Sequence, residues 1–591
     1  MKRFFTAMLG SLAAIWISIS LLMLLTFLFI VGLVASSLRE VSPPQIKDKA
    51  ILYINLGTAL AEINQNANLQ SILYGVDENV TLLQPAIKAI EHAETDKRVK
   101  GIFIDAEAVS GGVASLKSLH DALQHFKEAS GKWVIAYGDQ ITQGSYYLAS
   151  TADDLYLNPQ GMIDIHGLSA SIMYFKGLLE KLGVEVQVLK VGTFKSAVEP
   201  YILDSISPAN RLQVSQYLGS LWSNLAESMA QSRSLTSERL NEMADSMLIT
   251  VGAPELVAVG LVDQTLYRHE VEDLLKERIN ILQDEKLPLI SLNDYYADIK
   301  ESLLDKSRNK VAVLYAVGEI SESGNEGITS NKMVPQILSL ADDDDVKALV
   351  LRVNSPGGSA FASEQIWEAL ETFKKKGKKF YVSMGDLAAS GGYYISCGAE
   401  KIYASPVTLT GSIGIFGLIP NVNGLMKEHL GLNISTVSTN SNGDFPNIYE
   451  PMTPFQYASM QNMINRGYET FVGRVAEGRD LSVDSVKSIA EGRVWAGSTA
   501  LEIGLVDELG TLDDAISAVA EEAGLSSYET VYYPRFKSNF WDVFNSLGGN
   551  IYDACMRKAM GDQAFELYKK ARRAENIEPV LCLMPESEIS L

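Results

Sequence analysis

The sequence predicts an α/β protein made of two tandem copies of one domain, preceded by a transmembrane helix. Apolar runs of strand length alternate with amphipathic helical stretches, which is typical of parallel βαβ units. A long internal repeat indicates that the domain occurs twice, and 591 residues exceed what one hydrophobic core organises. At the N-terminus, no charged residue lies between Arg3 and Arg39.

The N-terminal stretch has the length of a membrane anchor. Leu12–Ala35 contains 24 residues, which span about 36 Å as a helix, against a hydrocarbon core of about 30 Å. A cleaved signal peptide is the alternative, although its apolar region normally covers only about 7–15 residues. Lys2 and Arg3 predict a cytoplasmic N-terminus, with the body outside the cytoplasm. We therefore assign residues 1–45 to a cytoplasmic N-terminus, a retained anchor and a linker.

The two copies, residues 46–300 and 301–535, open on corresponding buried strands. The charged, helix-patterned segment Arg268–Lys300 is expected to bridge them. The predicted strand pairs are Ala50–Leu56 with Lys310–Val317, Val99–Ile104 with Val346–Val353, and Trp133–Tyr137 with Phe380–Met384.

The repeat is clearest between Tyr137–Leu168 and Met384–Ile415, at a constant offset of 247 residues. Nine of 30 aligned positions are identical in this region. Gln143 of the first copy stands where the second copy has Ser390, so the copies cannot use the same nucleophile.

The tail, residues 536–591, has no counterpart in the first copy. It contains a possible helix, Ala564–Ala574, and an apolar patch, Val580–Met584. We expect the patch to serve in docking or as an oligomer contact.

Composition excludes several classes of function. The formal net charge of −22 argues against a nucleic-acid partner, because phosphate backbones are bound by basic surfaces. Cys397, Cys555 and Cys582 are too few and too scattered for a disulfide framework. None of them has a second Cys or a His at metal-ligand spacing, so no metal site is expected.

Two glycine-containing motifs in the second copy each follow a buried strand. In Asn354–Ser359, glycines allow backbone N–H groups to turn toward a ligand. In Ala388–Gly392, a serine at a strand end can present its hydroxyl as a nucleophile elbow does. The N–H groups of Gly391 and of Gly357 or Gly358 could then form an oxyanion hole. The alternative is two glycine turns and a helix N-cap serine.

A nucleophilic serine requires a base. Of the six histidines, only His429 lies in the second copy, in what looks like an exposed helix end. Lys195, in the stretch Val191–Pro200, lies among small and apolar residues. Burial disfavours the charged form of a lysine, so such an amine could be neutral and accept a proton. A solvated lysine in a loop is the alternative.

Four motifs together resemble the bacterial signal peptide peptidase A (protease IV) family in its long, duplicated, membrane-anchored form, over roughly residues 1–535. They are Gly192–Pro200, Asn354–Ser359, Ala388–Tyr394 and Thr410–Gly414. The resemblance implies two Clp protease/crotonase-like domains and a Ser–Lys dyad, without cofactor or metal.

Matched motif by motif, the resemblance assigns Ser390 as nucleophile and Lys195 as general base. It further implies that Ser412 orients the amine and that Gly358 and Gly391 supply oxyanion N–H groups. Continuing the repeat alignment places Lys195 opposite a position near Gly443, so the second copy lacks the base. One active site is therefore expected, where the two copies meet.

The implied protein is a homotetrameric serine endopeptidase of the bacterial inner membrane, which degrades cleaved signal peptides and other apolar peptides. Its catalytic body would lie on the extracytoplasmic side. Two rivals remain open from the residues. A crotonase-like acyl-CoA enzyme would use similar oxyanion donors without Ser390, and a scaffold on an inactive protease fold would use neither Ser390 nor Lys195.

Overall fold

The computed structural model describes residues 2–37, 46–63, 80–324, 327–534, 556–558, 560–561, 565, 581–584 and 588–590. The chain divides into two units. The N-terminal helix α1 (Lys2–Ser37) belongs to one of them. The strands that form the sheets belong to the other, so the candidate site is built within a single unit.

Helix α1 is longer than the apolar segment from which it was predicted. Of the helices in the described ranges, none combines the length and the apolar character needed to cross a membrane. The spanning role of Leu12–Ala35 therefore stays a prediction.

The first copy folds into a six-stranded parallel sheet in the order β10-β1-β4-β5-β6-β9. The strands of this copy are β1 (Ala50–Asn55), β2 (Ala59–Ala61), β3 (Val80–Leu82), β4 (Val99–Asp105), β5 (Trp133–Ile141), β6 (Asp154–Ile163), β7 (Ser169–Ser171), β8 (Glu185–Lys190), β9 (Gln264–Thr265) and β10 (Leu289–Ser291). Its helices are α2 (Leu83–Thr95), α3 (Val113–Ser130), α4 (Gln143–Ala149), α5 (Lys176–Lys181), α6 (Glu199–Ile202), α7 (Pro208–Ser232), α8 (Ser237–Ala244), α9 (Ala253–Ala258), α10 (Arg268–Ile279) and α11 (Leu292–Ile299).

The second copy repeats this arrangement in a sheet of order β20-β18-β16-β14-β11-β22, with β17 and β21 branching from β16. Its strands are β11 (Lys310–Val317), β12 (Ile320–Ser321), β13 (Ile328–Thr329), β14 (Val346–Ser355), β15 (Gly357–Ser359), β16 (Lys379–Ala389), β17 (Lys401–Ala404), β18 (Leu409–Gly411), β19 (Phe416–Asn421), β20 (Val494–Ala496), β21 (Glu508–Leu509) and β22 (Glu529–Tyr533). Its helices are α12 (Ser330–Asp342), α13 (Ala360–Lys375), α14 (Gly391–Tyr394), α15 (Pro454–Gly478), α16 (Val483–Ile489), α17 (Gly497–Glu502) and α18 (Leu512–Glu522).

A third sheet contains strands from both copies and from the tail. The tail supplies β23 (Leu581–Leu583) and β24 (Glu588–Ser590). The order β13-β12-β15-β23-β19-β8 places a first-copy strand, β8, at one edge and the tail strand β23 in the interior. In this sheet β8 of the first copy pairs with β19 of the second copy, and the candidate site lies beside it.

The predicted α/β class with two parallel-sheet domains is confirmed, and strand β11 has the predicted bounds. The segment Arg268–Lys300 contains a strand as well as helices, because β10 pairs with β1. Leu581–Met584 of the predicted apolar patch docks on the chain's own sheet. The possible helix Ala564–Ala574 lies outside the described residues except for Phe565.

Candidate active site

Ser390 lies on a sharp turn between β16 and α14. Its φ of 55° and ψ of −113° lie outside the regions that a non-glycine residue normally adopts. Its N–H donates to Gly411 O at 2.7 Å, which ties the turn to the neighbouring strand β18. Although Ser390 is at the N-cap position, its hydroxyl makes no capping hydrogen bond within the described chain. The turn therefore presents Oγ as a nucleophile elbow does.

Lys195 reaches this turn from the first copy. Strand β8 pairs antiparallel with β19 of the second copy, and the chain then turns at Gly192, whose φ is 102°. A Cβ at Gly192 would lie 2.4 Å from Glu491 O, so only glycine fits. Phe194 N donates to Glu491 O at 3.0 Å, which fixes the turn to the second copy just before the lysine.

The two predicted residues meet in a fully buried contact. Lys195 Nζ donates to Ser390 Oγ at 2.8 Å, and to Ser412 O and Ser412 Oγ at 3.1 Å each. All three residues have an exposed fraction of 0%. Gly492 makes room for the lysine stem, because a Cβ there would lie 2.6 Å from Lys195 Cβ. The structure thus brings together a serine hydroxyl and a lysine amine that are 195 positions apart in the sequence.

The two predicted oxyanion glycines lie side by side. A Cβ on Gly391 would be 3.1 Å from Gly358 N. At Gly358, φ is 151° and a Cβ would lie 2.0 Å from Ile320 O, so the strand β15 requires glycine there. The arrangement places backbone N–H groups beside the elbow that carries Ser390.

The tail strand β23 fills a gap between β15 and β19. It runs antiparallel to both, with Cys582 opposite Gly358 and Leu581 opposite Phe416. Met584 N extends the pairing by donating to Pro356 O at 2.8 Å. Without this strand, β15 and β19 would each have an unpaired edge. The gap therefore has the form of a slot that an extended segment of the chain fills as an added strand.

In the first copy, Gln143 occupies the position of the nucleophile. Its Oε1 accepts from His166 N at 3.0 Å and Gly167 N at 2.8 Å, and its Nε2 donates to Gly167 O at 3.0 Å. The 247-residue offset also places Ile165 where the second copy has Ser412. The side chain of Gln143 thus holds the backbone before β7, and no hydroxyl stands at either position.

Neither His429 nor Cys397 takes part in the contact between Lys195 and Ser390. His429 is exposed, whereas Ser390 is completely buried against Lys195. Burial raises the pKa of the Cys397 thiol to about 12, so it is not a thiolate nucleophile near neutral pH.

Two polar contacts that link the copies were missed from the sequence. Asp386 accepts hydrogen bonds from Ser115 N at 2.8 Å and Ser115 Oγ at 2.7 Å, and from Asn354 Nδ2 at 3.1 Å. In the second contact, which is buried, Arg352 Nε donates to Glu62 Oε1 at 3.1 Å. Asp386 could have been found, because it is one of the nine repeat identities. Glu62 lies in no repeat motif and gave no signal.

Comparison with known sequences agrees with this architecture. Residues 126–281 and 372–526 match the profile of Peptidase family S49, once in each copy. Residues 310–408 also match the Clp protease profile. These matches define a serine peptidase built from two Clp-like domains.

The chain belongs to peptidase family S49. It is 38% identical over 439 residues to protease 4 of Haemophilus influenzae, covering 73% of this chain and 71% of the relative. It is 37% identical over 480 residues to protease 4 of Salmonella typhi, covering 79% and 76%. It is 28% identical over 470 residues to the chloroplastic serine protease SPPA of Arabidopsis thaliana, covering 78% and 69%. Membership in a serine peptidase family sets aside the acyl-CoA enzyme and the inactive scaffold.

Proposed function

We propose that this serine peptidase hydrolyses peptide bonds with a Ser390–Lys195 dyad. The observation that carries the proposal is the 2.8 Å contact between Lys195 Nζ and Ser390 Oγ, in a site from which solvent is excluded. The hydroxyl is the nucleophile, and the amine is the general base. Neither copy contains both groups, so each chain has one site.

In the acylation step, the neutral amine of Lys195 takes the proton from Ser390 Oγ. Complete burial supports this role, because it disfavours the ammonium form. Oγ then attacks the scissile carbonyl carbon, and the N–H groups of Gly358 and Gly391 stabilise the oxyanion. Collapse of the tetrahedral intermediate breaks the C–N bond, and protonated Lys195 gives its proton to the leaving amine.

Deacylation repeats these transfers with water as the nucleophile. Lys195 takes a proton from the water as it attacks the acyl carbon. The proton then returns to Ser390 Oγ as the ester bond breaks. Ser412 supports both steps by holding the amine, since its Oγ and its carbonyl oxygen each lie 3.1 Å from Nζ.

The chemistry of the slot favours apolar, extended peptides. Leu581 of the tail packs there against Ala197, Val198 and Phe416. A substrate strand in the same place would bury apolar side chains in the same contacts. We infer that cleaved signal peptides and other apolar fragments are the substrates.

Labelling with a fluorophosphonate tests the dyad directly. We expect Ser390 to form the covalent adduct, because the probe reacts with an activated serine hydroxyl and loses fluoride. Ser412→Ala should slow labelling about fivefold, since a hydrogen bond between neutral groups contributes about 1 kcal/mol. The label is located by peptide mass spectrometry, and its rate is followed by gel fluorescence.

The matched control for this labelling is Ser396→Ala. Ser396 is another buried serine, whose Oγ donates to Gly392 O at 2.7 Å. It should label at the wild-type rate. Stoichiometric labelling at any serine other than Ser390 would disprove the assignment.

We further propose that residues 12–35 attach the enzyme to the bacterial inner membrane, with the body on the extracytoplasmic side, and that chains associate as tetramers. For the tetramer, light scattering of the detergent extract should give the mass of four chains of 64.6 kDa.

For the attachment, carbonate-washed membranes should retain the full chain. The double substitution Leu22→Arg with Leu25→Arg should move the protein to the supernatant, because each arginine in a membrane span costs about 2.5–3.5 kcal/mol. Leu22→Ile with Leu25→Ile is the control. Wild-type chain found wholly in the supernatant would refute the attachment.

A further inference from the structure

The tail contacts both copies through equivalent strands. Its first strand, β23, pairs antiparallel with the start of β19 in the second copy. Its second strand, β24, pairs antiparallel with β7 in the first copy, with Ile589 opposite Ala170. The repeat offset of 247 residues places Ser169–Ser171 on Phe416–Leu418. One continuous segment therefore pairs with the slot strand β19 and then with the matching strand of the copy that lacks the serine.

The first copy has no hydroxyl at the positions of Ser390 and Ser412, but it keeps a strand, β7, at the position of β19. Gln143 holds the backbone at His166 and Gly167 through three hydrogen bonds, two residues before β7 begins. Both serines of β7 are exposed and Ala170 is partly exposed, and β24 occupies the strand edge along all three residues. A fixed strand edge that already pairs with an extended segment is suited to recognition by strand addition.

We propose that β7 is a second docking strand for the peptide substrate. The ligand is an extended peptide whose chain continues past the slot toward its C-terminus by about six residues. This inference rests on the proposed peptidase function and adds a binding site distant from the cleaved bond. The catalytically inert copy thereby acts in recognition of long peptides.

The tail gives both the direction and the length of such a peptide. Since β23 is antiparallel to both β15 and β19, the bound chain has one defined polarity, and its C-terminal part leads to β7. Ser590 is the sixth residue after Met584. A peptide that ends two or three residues past the slot cannot reach β7, whereas one that extends six or more residues can.

The test measures binding to the full chain carrying Ser390→Ala, so that the peptide is not cut. Each peptide competes there with β23 and β24 for the strand edges that they occupy. A fluorescent peptide with the sequence Leu-Cys-Leu-Met is compared with two longer ones, extended by seven Ser and Ile residues at the C-terminus or at the N-terminus. We expect fluorescence anisotropy to give a Kd about tenfold lower for the C-terminal extension. The N-terminal extension should change Kd less than twofold. Equal Kd values for all three peptides would overturn the proposal.

Proline substitutions in β7 supply a matched pair of variants. Successive N–H groups of a strand point to opposite edges, so only one of Ala170→Pro and Ser171→Pro removes a donor that faces the peptide. For each variant, the Kd of the short peptide is divided by the Kd of the C-terminally extended peptide. Any loss of affinity that affects both peptides equally cancels in this ratio. One variant should lower this ratio to about one and the other should keep it near ten. Loss in both or in neither would contradict strand addition at β7.

Binding by the Ser390→Ala chain does not depend on turnover. If the wild-type chain fails to cleave peptides, the proposed dyad is wrong, yet the Kd ratio still reports on β7. If the wild-type chain cleaves peptides and the ratio is one, only the second docking strand is refuted.

Discussion

Replacing Ser390 with alanine is expected to lower kcat by about 10⁴–10⁶-fold, because the acyl-enzyme can no longer form. The change removes one oxygen atom from a rigid, buried turn. Ser390 Oγ is held by Lys195 Nζ, so the folded state loses one hydrogen bond, which contributes about 0.5–1.5 kcal/mol. The substitution should therefore lower activity strongly and stability only slightly. A quenched fluorogenic peptide gives kcat, and thermal unfolding gives Tm.

Ser396→Ala provides the comparison for this prediction. It removes a second buried hydroxyl six residues further along the same segment, one that bonds only to a carbonyl in the described contacts. It should keep kcat within about threefold of wild type and lose a similar amount of stability. Retention of more than about 1% of kcat by Ser390→Ala, with wild-type enzyme excluded by mass spectrometry, would mean that another group attacks the carbonyl.

Replacing Lys195 with methionine is expected to lower kcat by about 10²–10⁴-fold, the usual contribution of a general base. Methionine keeps most of the unbranched stem that packs beside Gly414 and Gly492, so no large cavity forms. It lacks the amine that we propose as the acceptor of the serine proton. Fluorophosphonate labelling of Ser390 should slow in parallel with kcat, because both reactions need the activated hydroxyl.

Lys190→Met is the matched control for the lysine. Lys190 ends strand β8, five residues before Lys195, and is only partly buried. Its substitution should leave kcat and labelling within about threefold of wild type. Unchanged labelling of Ser390 in the Lys195→Met chain would contradict the assignment of the base, even if peptide turnover had fallen for other reasons.

The parallel strands and the candidate residues could be predicted because their signals are local. Apolar runs of five to eight residues mark the central strands, and β11 begins and ends where its apolar run does. The serine, the lysine and the glycines lie in short motifs with small neighbours. The missing serine at Gln143 could be read by aligning the two copies.

The strand pairings between the copies could not be predicted because they join distant segments. Strand β8 pairs with β19, more than 220 residues away, and β23 has only three residues. Neither strand has a sequence pattern that identifies the strand with which it pairs. The positive φ of Ser390 and the contact between Asp386 and Ser115 also depend on packing after the copies meet. The sequence showed which residues could react, but not the slot in which a peptide would lie.

The position of Lys195 in one copy and Ser390 in the other has a consequence for biosynthesis. A ribosome completes the lysine 195 residues before the serine, an interval of about 10–40 s at typical elongation rates of about 5–20 residues per second. Throughout that interval the nascent polypeptide contains only one of the two residues of the proposed dyad. The order of synthesis thus keeps a nascent chain from cleaving other proteins until at least the first 390 of its 591 residues have been translated.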